Sequence, residues 1–200
     1  MKPTEFDPSI RRRTLVFLFV ATLGTLLFVQ QQQIGRLRDG VRVQEDLLAE
    51  TSRLAARATA HLELIRRFGI PYDYLEVLAD AASEHGLDLP FLVGLMQVES
   101  HFNPNARSER EAYGLMQVRF PTAQGLDPTL QSYWQLFEPD RNIRLGVSYF
   151  RSLLNRYGGD YRIAALAYNR GPTRLDSELL AEGDLPDRYY QRIKAAGIVN

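Results

Sequence analysis

The most apolar stretch of the chain, Thr14 to Val29, reads TLVFLFVATLGTLLFV without a single charge, between Arg11, Arg12 and Arg13 on one side and Gln30 to Gln33 on the other. As a helix its sixteen residues rise about 24 Å, a little short of the roughly 30 Å hydrocarbon core, and the neutral glutamines can lengthen the span. The pattern predicts a transmembrane anchor over 14–33 behind a cytoplasmic tail, 1–13. Lys2 and the arginine triplet would stay inside and the larger C-terminal part outside, although Arg36, Arg38 and Arg42 weaken that bias. A cleaved signal peptide and a buried core helix share the same pattern; no A-x-A-like cleavage site follows the run.

Beyond the anchor Ile34, Leu37, Val41, Leu48, Ala55, Ala58, Leu62 and Ile65 recur at a three-four spacing in a segment without proline. This predicts a helical stalk over 34–70, with Gly69 and Pro71 marking the boundary to a domain over 71–200. Gln44 and Thr51 fall on the seam and the alanines are small. A stalk-mediated dimer, an envelope-assembly partner and a helix lying partly on the next domain therefore all fit.

From Tyr72 onward apolar residues keep helical spacing between turn residues, and no stretch sustains two-residue alternation, so the domain is expected to be all-α. One helix, Tyr72 to His85, carries Leu75, Leu78, Ala81 and Ala82 and stops at Gly86. The next opens with Asp88 as N-cap and Pro90 in its first turn and runs through Phe91, Leu92, Leu95, Met96 and Val98. After a loop-rich middle, Asn142 to Tyr157 places Ile143, Val147, Phe150, Leu154 and Tyr157 on one face. A helix over Tyr161 to Tyr168 then ends in the turn Asn169, Arg170, Gly171, Pro172.

Composition narrows the chemistry. An apolar share of 45% with 24% charged residues describes a folding chain of one or two domains. Formal net charge is zero and the basic residues are scattered, so no stripe tracks a nucleic acid. The absence of cysteine removes disulfides, thiolate metal sites, a cysteine nucleophile and a lipid-bearing cysteine. His61, His85 and His101 have no metal-ligand spacing and read as helix-surface or turn residues, so no metal is expected.

Glu99 stands three, four and seven residues after Met96, Leu95 and Leu92, on the apolar face of its helix and in the last turn. Desolvation there raises a carboxyl pKa, and the negative end of the helix dipole pushes the same way, giving a protonated acid at neutral pH. A glutamate at a helix end in water fits the spacing equally well. The residues around it carry more information: Glu99-Ser100-His101-Phe102-Asn103-Pro104-Asn105-Ala106, Ser108, Gly114-Leu115-Met116-Gln117, Thr122-Ala123, Leu136-Phe137-Glu138-Pro139 with Asn142-Ile143, and Ala167-Tyr168-Asn169 before Gly171-Pro172. Taken in this order over about Tyr72 to Lys194, they closely resemble the soluble lytic transglycosylase family with its goose-lysozyme-like fold.

The resemblance implies that Glu99 is the catalytic acid and base, and that Ser108, Gln117, Thr122, Tyr168 and Asn169 line the cleft. Tyr168 would donate to Glu99 or to a substrate acetamide. It further implies peptidoglycan glycan strands as substrate, cut between N-acetylmuramic acid and N-acetylglucosamine with closure of a 1,6-anhydro ring, without a cofactor, on the outer side of a bacterial cytoplasmic membrane. Gln117 also suits loop bonding, Asn169 a plain turn and Tyr168 a core position. Several residues depart from the family pattern: Glu109, Arg110 and Glu111, the last where glycine is common, then Arg119, Phe120, Arg170 and Thr173. Glu109 or Glu111 as a second carboxylate would permit lysozyme-like hydrolysis. A non-catalytic peptidoglycan-binding assembly module is the third reading.

Overall fold

The computed structural model describes residues 8–182 and 185–197. Backbone packing divides the chain into two units, Met1–Ala58 and Thr59–Asn200. Helix α1 (Pro8–Phe68) contains the apolar run, whose described side chains are exposed. It is long and apolar enough to cross a membrane, with a mean hydropathy of 1.6 over its most apolar eighteen-residue window.

The second unit starts earlier than the expected boundary at residue 71. The last turns of α1 already bury Leu64 and pack Ile65 and Phe68 on the core, and Ile70 is buried behind them. His61, expected on a helix surface, is also buried, its Nδ1 lying 3.1 Å from Glu76 Oε1. Leu64, Ile65 and Phe68 tie the end of the stalk segment to the domain, and Gly69, in the left-handed region at φ 66, ends the helix.

Around this edge the unit is built from α2 (Tyr72–His85), α3 (Leu89–Ser100), α4 (Phe120–Leu126), α5 (Pro139–Arg156), α6 (Tyr161–Arg170), α7 (Pro172–Glu182) and α8 (Arg188–Gly197). A hairpin of two-residue strands, β1 (Ala112–Tyr113) and β2 (Val118–Arg119), and a 3-10 turn (Tyr133–Phe137) fill the loop-rich middle. The helix limits follow local chemistry. Gly86 caps α2 at φ 60; the Asp88 carboxylate accepts the Phe91 N–H at 2.7 Å at the head of α3. Helix α5 begins three residues before Asn142, at Pro139, whose missing N–H costs nothing in a first turn. Helix α6 runs two residues beyond Tyr168, because the chain breaks at Gly171, φ 88, so Asn169 and Arg170 lie in its last turn. The core is one cluster in which Leu75, Leu78, Leu92, Leu95, Met96, Ile143, Val147, Phe150 and Leu166 are fully buried.

Candidate active site

Helix α3 carries Glu99 to its place. Leu92, Leu95 and Met96 are fully buried, and Glu99, one turn on, is half-buried. The helix then stops abruptly. His101 (φ 53) and Phe102 (φ 61) are both left-handed, and the His101 N–H closes on the Gln97 carbonyl. Two successive left-handed residues with side chains cost about 1–2 kcal/mol each, strain of a kind that clusters at functional sites.

Helix α8 lies against α3 at backbone contact, because two positions lack side chains. A Cβ on Gly94 would stand 2.4 Å from the Ile193 carbonyl, and one on Gly197 2.4 Å from the Pro90 carbonyl. Closeness at those two points brings the opposite end of α8 onto the end of α3, where the Tyr189 hydroxyl donates a short hydrogen bond to Glu99 Oε1. The approach to α8 is itself tethered: Arg162 donates to the Leu185 carbonyl and Arg170 to that of Pro186. Arg170 also donates to Glu178 on α7 at 2.6 Å, so a residue that departs from the family pattern acts here as a brace.

Burial pushes the Glu99 carboxyl up to about 7, against the pull of the Tyr189 hydrogen bond and the Arg192 charge. Tyr189 is raised well above the ordinary phenol range by burial and by the Glu99 charge, and therefore stays a donor. Tyr168 is raised likewise by burial, by Glu99 and by Tyr149, whose ring centroid lies 5.1 Å away.

Tyr168 links this carboxylate to the loop that follows β1. Its hydroxyl donates to the Met116 carbonyl at 2.8 Å and not to Glu99; Tyr189 takes that place. The Met116 N–H in turn donates to Asn142 Oδ1 at 2.7 Å, so one peptide residue is clamped at both polar atoms. Asn142 is fully buried and spends its amide on the carbonyls of Tyr113 and Leu136, each at 2.8 Å. Gly114 leaves room for this, since a Cβ there would sit 2.4 Å from Asn142 Nδ2.

The other expected site residues divide by how they are bonded. Gln117, left-handed at φ 49, gives its amide to the carbonyls of Ala106 (3.1 Å) and Gly114 (2.9 Å). Ser108 closes the loop through Ala112, accepting its N–H on Oγ at 3.1 Å. Glu111 within that loop is left-handed at φ 56, which accounts for the glycine usual there in the family pattern. Thr122 is half-buried in the first turn of α4, and Asn169 is exposed on α6. A pocket of about 460 Å³ lined by Asp88, Pro90, Phe91, Tyr161, Tyr190, Lys194 and Gly197 opens at the other end of α3 from Glu99. That pocket lies away from the perturbed carboxyl and its donor, which single out Glu99.

Residues 76–191 match the family model described as the Transglycosylase SLT domain. The chain belongs to that family. Among curated relatives of this SLT chain, the membrane-bound lytic murein transglycosylase C of Haemophilus influenzae (strain PittEE) is 33% identical over 150 residues, covering 70% of this chain and 38% of the relative. The protein of the same name from Mannheimia succiniciproducens is 41% identical over 93 residues, covering 42% and 25%. The chain thus spans less than two-fifths of the length of these relatives. Solved SLT structures share the fold. An inactive variant of the lytic transglycosylase Slt of Pseudomonas aeruginosa superposes with a TM-score of 0.51 at 31% identity, over 59% of this chain and 20% of that one. The 70 kDa soluble lytic transglycosylase of Escherichia coli gives 0.54 at 26% identity, over 67% and 24%.

Tyr189 and Asn142 are the residues that reading the sequence alone leaves without a role. A tyrosine ninety positions from its carboxylate leaves no periodic signal. Asn142 breaks an otherwise apolar helical face, and a polar residue on such a face is the available hint.

Proposed function

We propose that this chain is a membrane-anchored lytic transglycosylase that cuts the β-1,4 bond between N-acetylmuramic acid and N-acetylglucosamine in peptidoglycan, with Glu99 as acid and then base. The observation that carries the reading is the Glu99 carboxyl raised to about 7 under the Tyr189 hydroxyl, in a member of the SLT family. The protonated carboxyl gives its proton to the bridging oxygen as the bond from C1 to that oxygen breaks, leaving N-acetylglucosamine with a free hydroxyl. The muramoyl 6-hydroxyl then bonds to C1 and returns a proton to the Glu99 carboxylate, so the ring closes and no water is consumed. Charge in the oxocarbenium-like transition state is met by the substrate's own acetamide.

Hydrolysis with a second carboxylate finds less support. The groups that act on the charge of Glu99 are Tyr189 and Arg192, with no acid among them. Glu109 is exposed, and Glu111, also exposed, faces Arg107 at 3.8 Å. The segment over 14–33 would anchor the chain in the cytoplasmic membrane with Lys2 and the arginine triplet inside, and the second unit would then lie on the side of the peptidoglycan. Ser108, Gln117 and Tyr168 act in this reading by holding the loop around Met116, while exposed Asn169 and half-buried Thr122 would meet the substrate.

The full chain in detergent, incubated with sacculi beside a Glu99→Gln control, should release anhydromuramoyl products, one water lighter than hydrolytic ones, in mass spectra. Reducing ends would establish hydrolysis, and equal products from the control would remove Glu99 from the chemistry.

A further inference from the structure

Three aromatic rings stand in a stack beside the β1–β2 hairpin. Tyr113 and Tyr133 have centroids 4.9 Å apart at 24° between planes, Tyr133 and Trp134 4.9 Å apart at 30°, and Phe137 lies 5.6 Å from Trp134. Exposure rises along the stack, from Tyr113 at 3% through half-buried Tyr133 to Trp134 at 65%. A lone exposed indole needs no explanation, but this one is held in place. Its turn carries a full capping box: the Ser132 hydroxyl accepts the Trp134 N–H, and Gln135 Oε1 accepts the N–H groups of Gln131 and Ser132. The neighbouring Leu136 carbonyl is bound by Asn142. The base of the stack adjoins the loop that Ser108 closes: Arg107, next to Ser108, lies 5.5 Å over the Tyr113 ring and 5.9 Å over that of Tyr133.

We propose that Trp134, stacked on Tyr133 and flanked by Phe137, is a platform for one sugar ring of the glycan strand, lying beyond the bond that is cut. The inference rests on the reading of Glu99 as the acid of a peptidoglycan transglycosylase. A pyranose in its chair form has a face of C–H bonds and a rim of hydroxyls. The face packs on the open side of the indole while the rim stays hydrated, and the indole N–H can donate to a hydroxyl or acetamide oxygen. Because the ring is already fixed on one side, little side-chain freedom is lost when the sugar arrives.

Trp134 is the single tryptophan of the chain, so its emission reports on the platform alone. The full chain in detergent, carrying Glu99→Gln to keep the strand intact, is titrated with peptide-free glycan strands. The emission should shift to the blue and acrylamide quenching should fall as strands bind. In the catalytically intact chain, Trp134→Ala should raise KM for strands about tenfold, with a smaller change in kcat, and Trp134→Phe should recover most of the loss. Strands that co-sediment with the protein while emission and quenching stay constant would overturn the platform and leave Glu99 untouched, as would a KM for Trp134→Ala equal to the parent's. Failure of the intact chain to release any glycan from sacculi would remove the transglycosylase reading, and the platform with it.

Discussion

Glu99 reaches its place on one regular helix packed against another, whereas the loop around Met116 keeps its shape with a hairpin of two-residue strands and no helix. In the first region missing side chains do the positioning. Gly94 and Gly197 let α3 and α8 touch, and the tyrosine at the far end falls on the carboxylate. In the second, side chains stand in for secondary structure: Asn142, Gln117, Ser108 and Tyr168 bond backbone groups that no ladder satisfies. Tyr168 belongs to both, since it bonds the loop and feels the Glu99 charge. The comparison separates a region tuned by packing from one tuned by hydrogen bonds, and the two should fail differently.

The largest effect is expected from Glu99→Gln, which should lower glycan release on the order of 10³-fold, measured as soluble muropeptide per unit time. The same change should stabilise the fold. A carboxyl raised from 4.5 to about 7 favours folding least when it must ionise: below pH 4.5 both states hold the proton and nothing is lost. Stability then falls as pH rises through 7, by up to about 3 kcal/mol. Urea unfolding at pH 4 and pH 8 should therefore show the glutamine variant gaining at the higher pH only.

Asn142→Ala strands the Met116 N–H and two carbonyls in the core and should cost about 3 kcal/mol in urea unfolding. Gly94→Ala should cost about 2 kcal/mol through a clash with the Ile193 carbonyl, since the atom that must give way is backbone. It should also weaken the bond between Tyr189 and Glu99, which Asn142→Ala leaves in place. Comparing pH–rate profiles of the two tells the regions apart. Tyr189→Phe removes a contact that lowers the Glu99 pKa, so the fall in kcat/KM on the alkaline side should move upward by about one pH unit. Smallest is Glu111→Gly: relief of a left-handed backbone, offset by greater freedom when unfolded, should raise stability by up to about 1 kcal/mol in the same urea assay.

The two regions were also unequally legible. Local rules led directly to α3, because Asp88, Pro90 and the spacing of Leu92, Leu95 and Met96 act within a few residues of one another. They led to the desolvated face under Glu99 for the same reason. Its donor Tyr189 and the brace of Arg170 depend on α8 folding back over α3, a contact that no window of sequence contains. The loop residues were legible as a family pattern and not as roles. Gln117 and Ser108 carry polar groups that suit a sugar as well as a carbonyl, and backbone geometry decides which they meet. His61 reads from sequence as solvated, because nothing local to its helix shows that Glu76 comes within reach and closes it in.

The double clamp on Met116 has a consequence for motion. Amide protons in loops outside helices and strands exchange with solvent through small local openings, often within minutes. Here the N–H is held by a buried side chain, the carbonyl by a tyrosine, and Met116 itself is fully buried. Release of that proton means breaking its bond to Asn142, whose amide is tied to both the 3-10 turn and the hairpin, so the opening is expected to involve all three. In hydrogen-exchange terms this loop should be protected as strongly as the centres of α3 and α5, which amide exchange followed residue by residue would check.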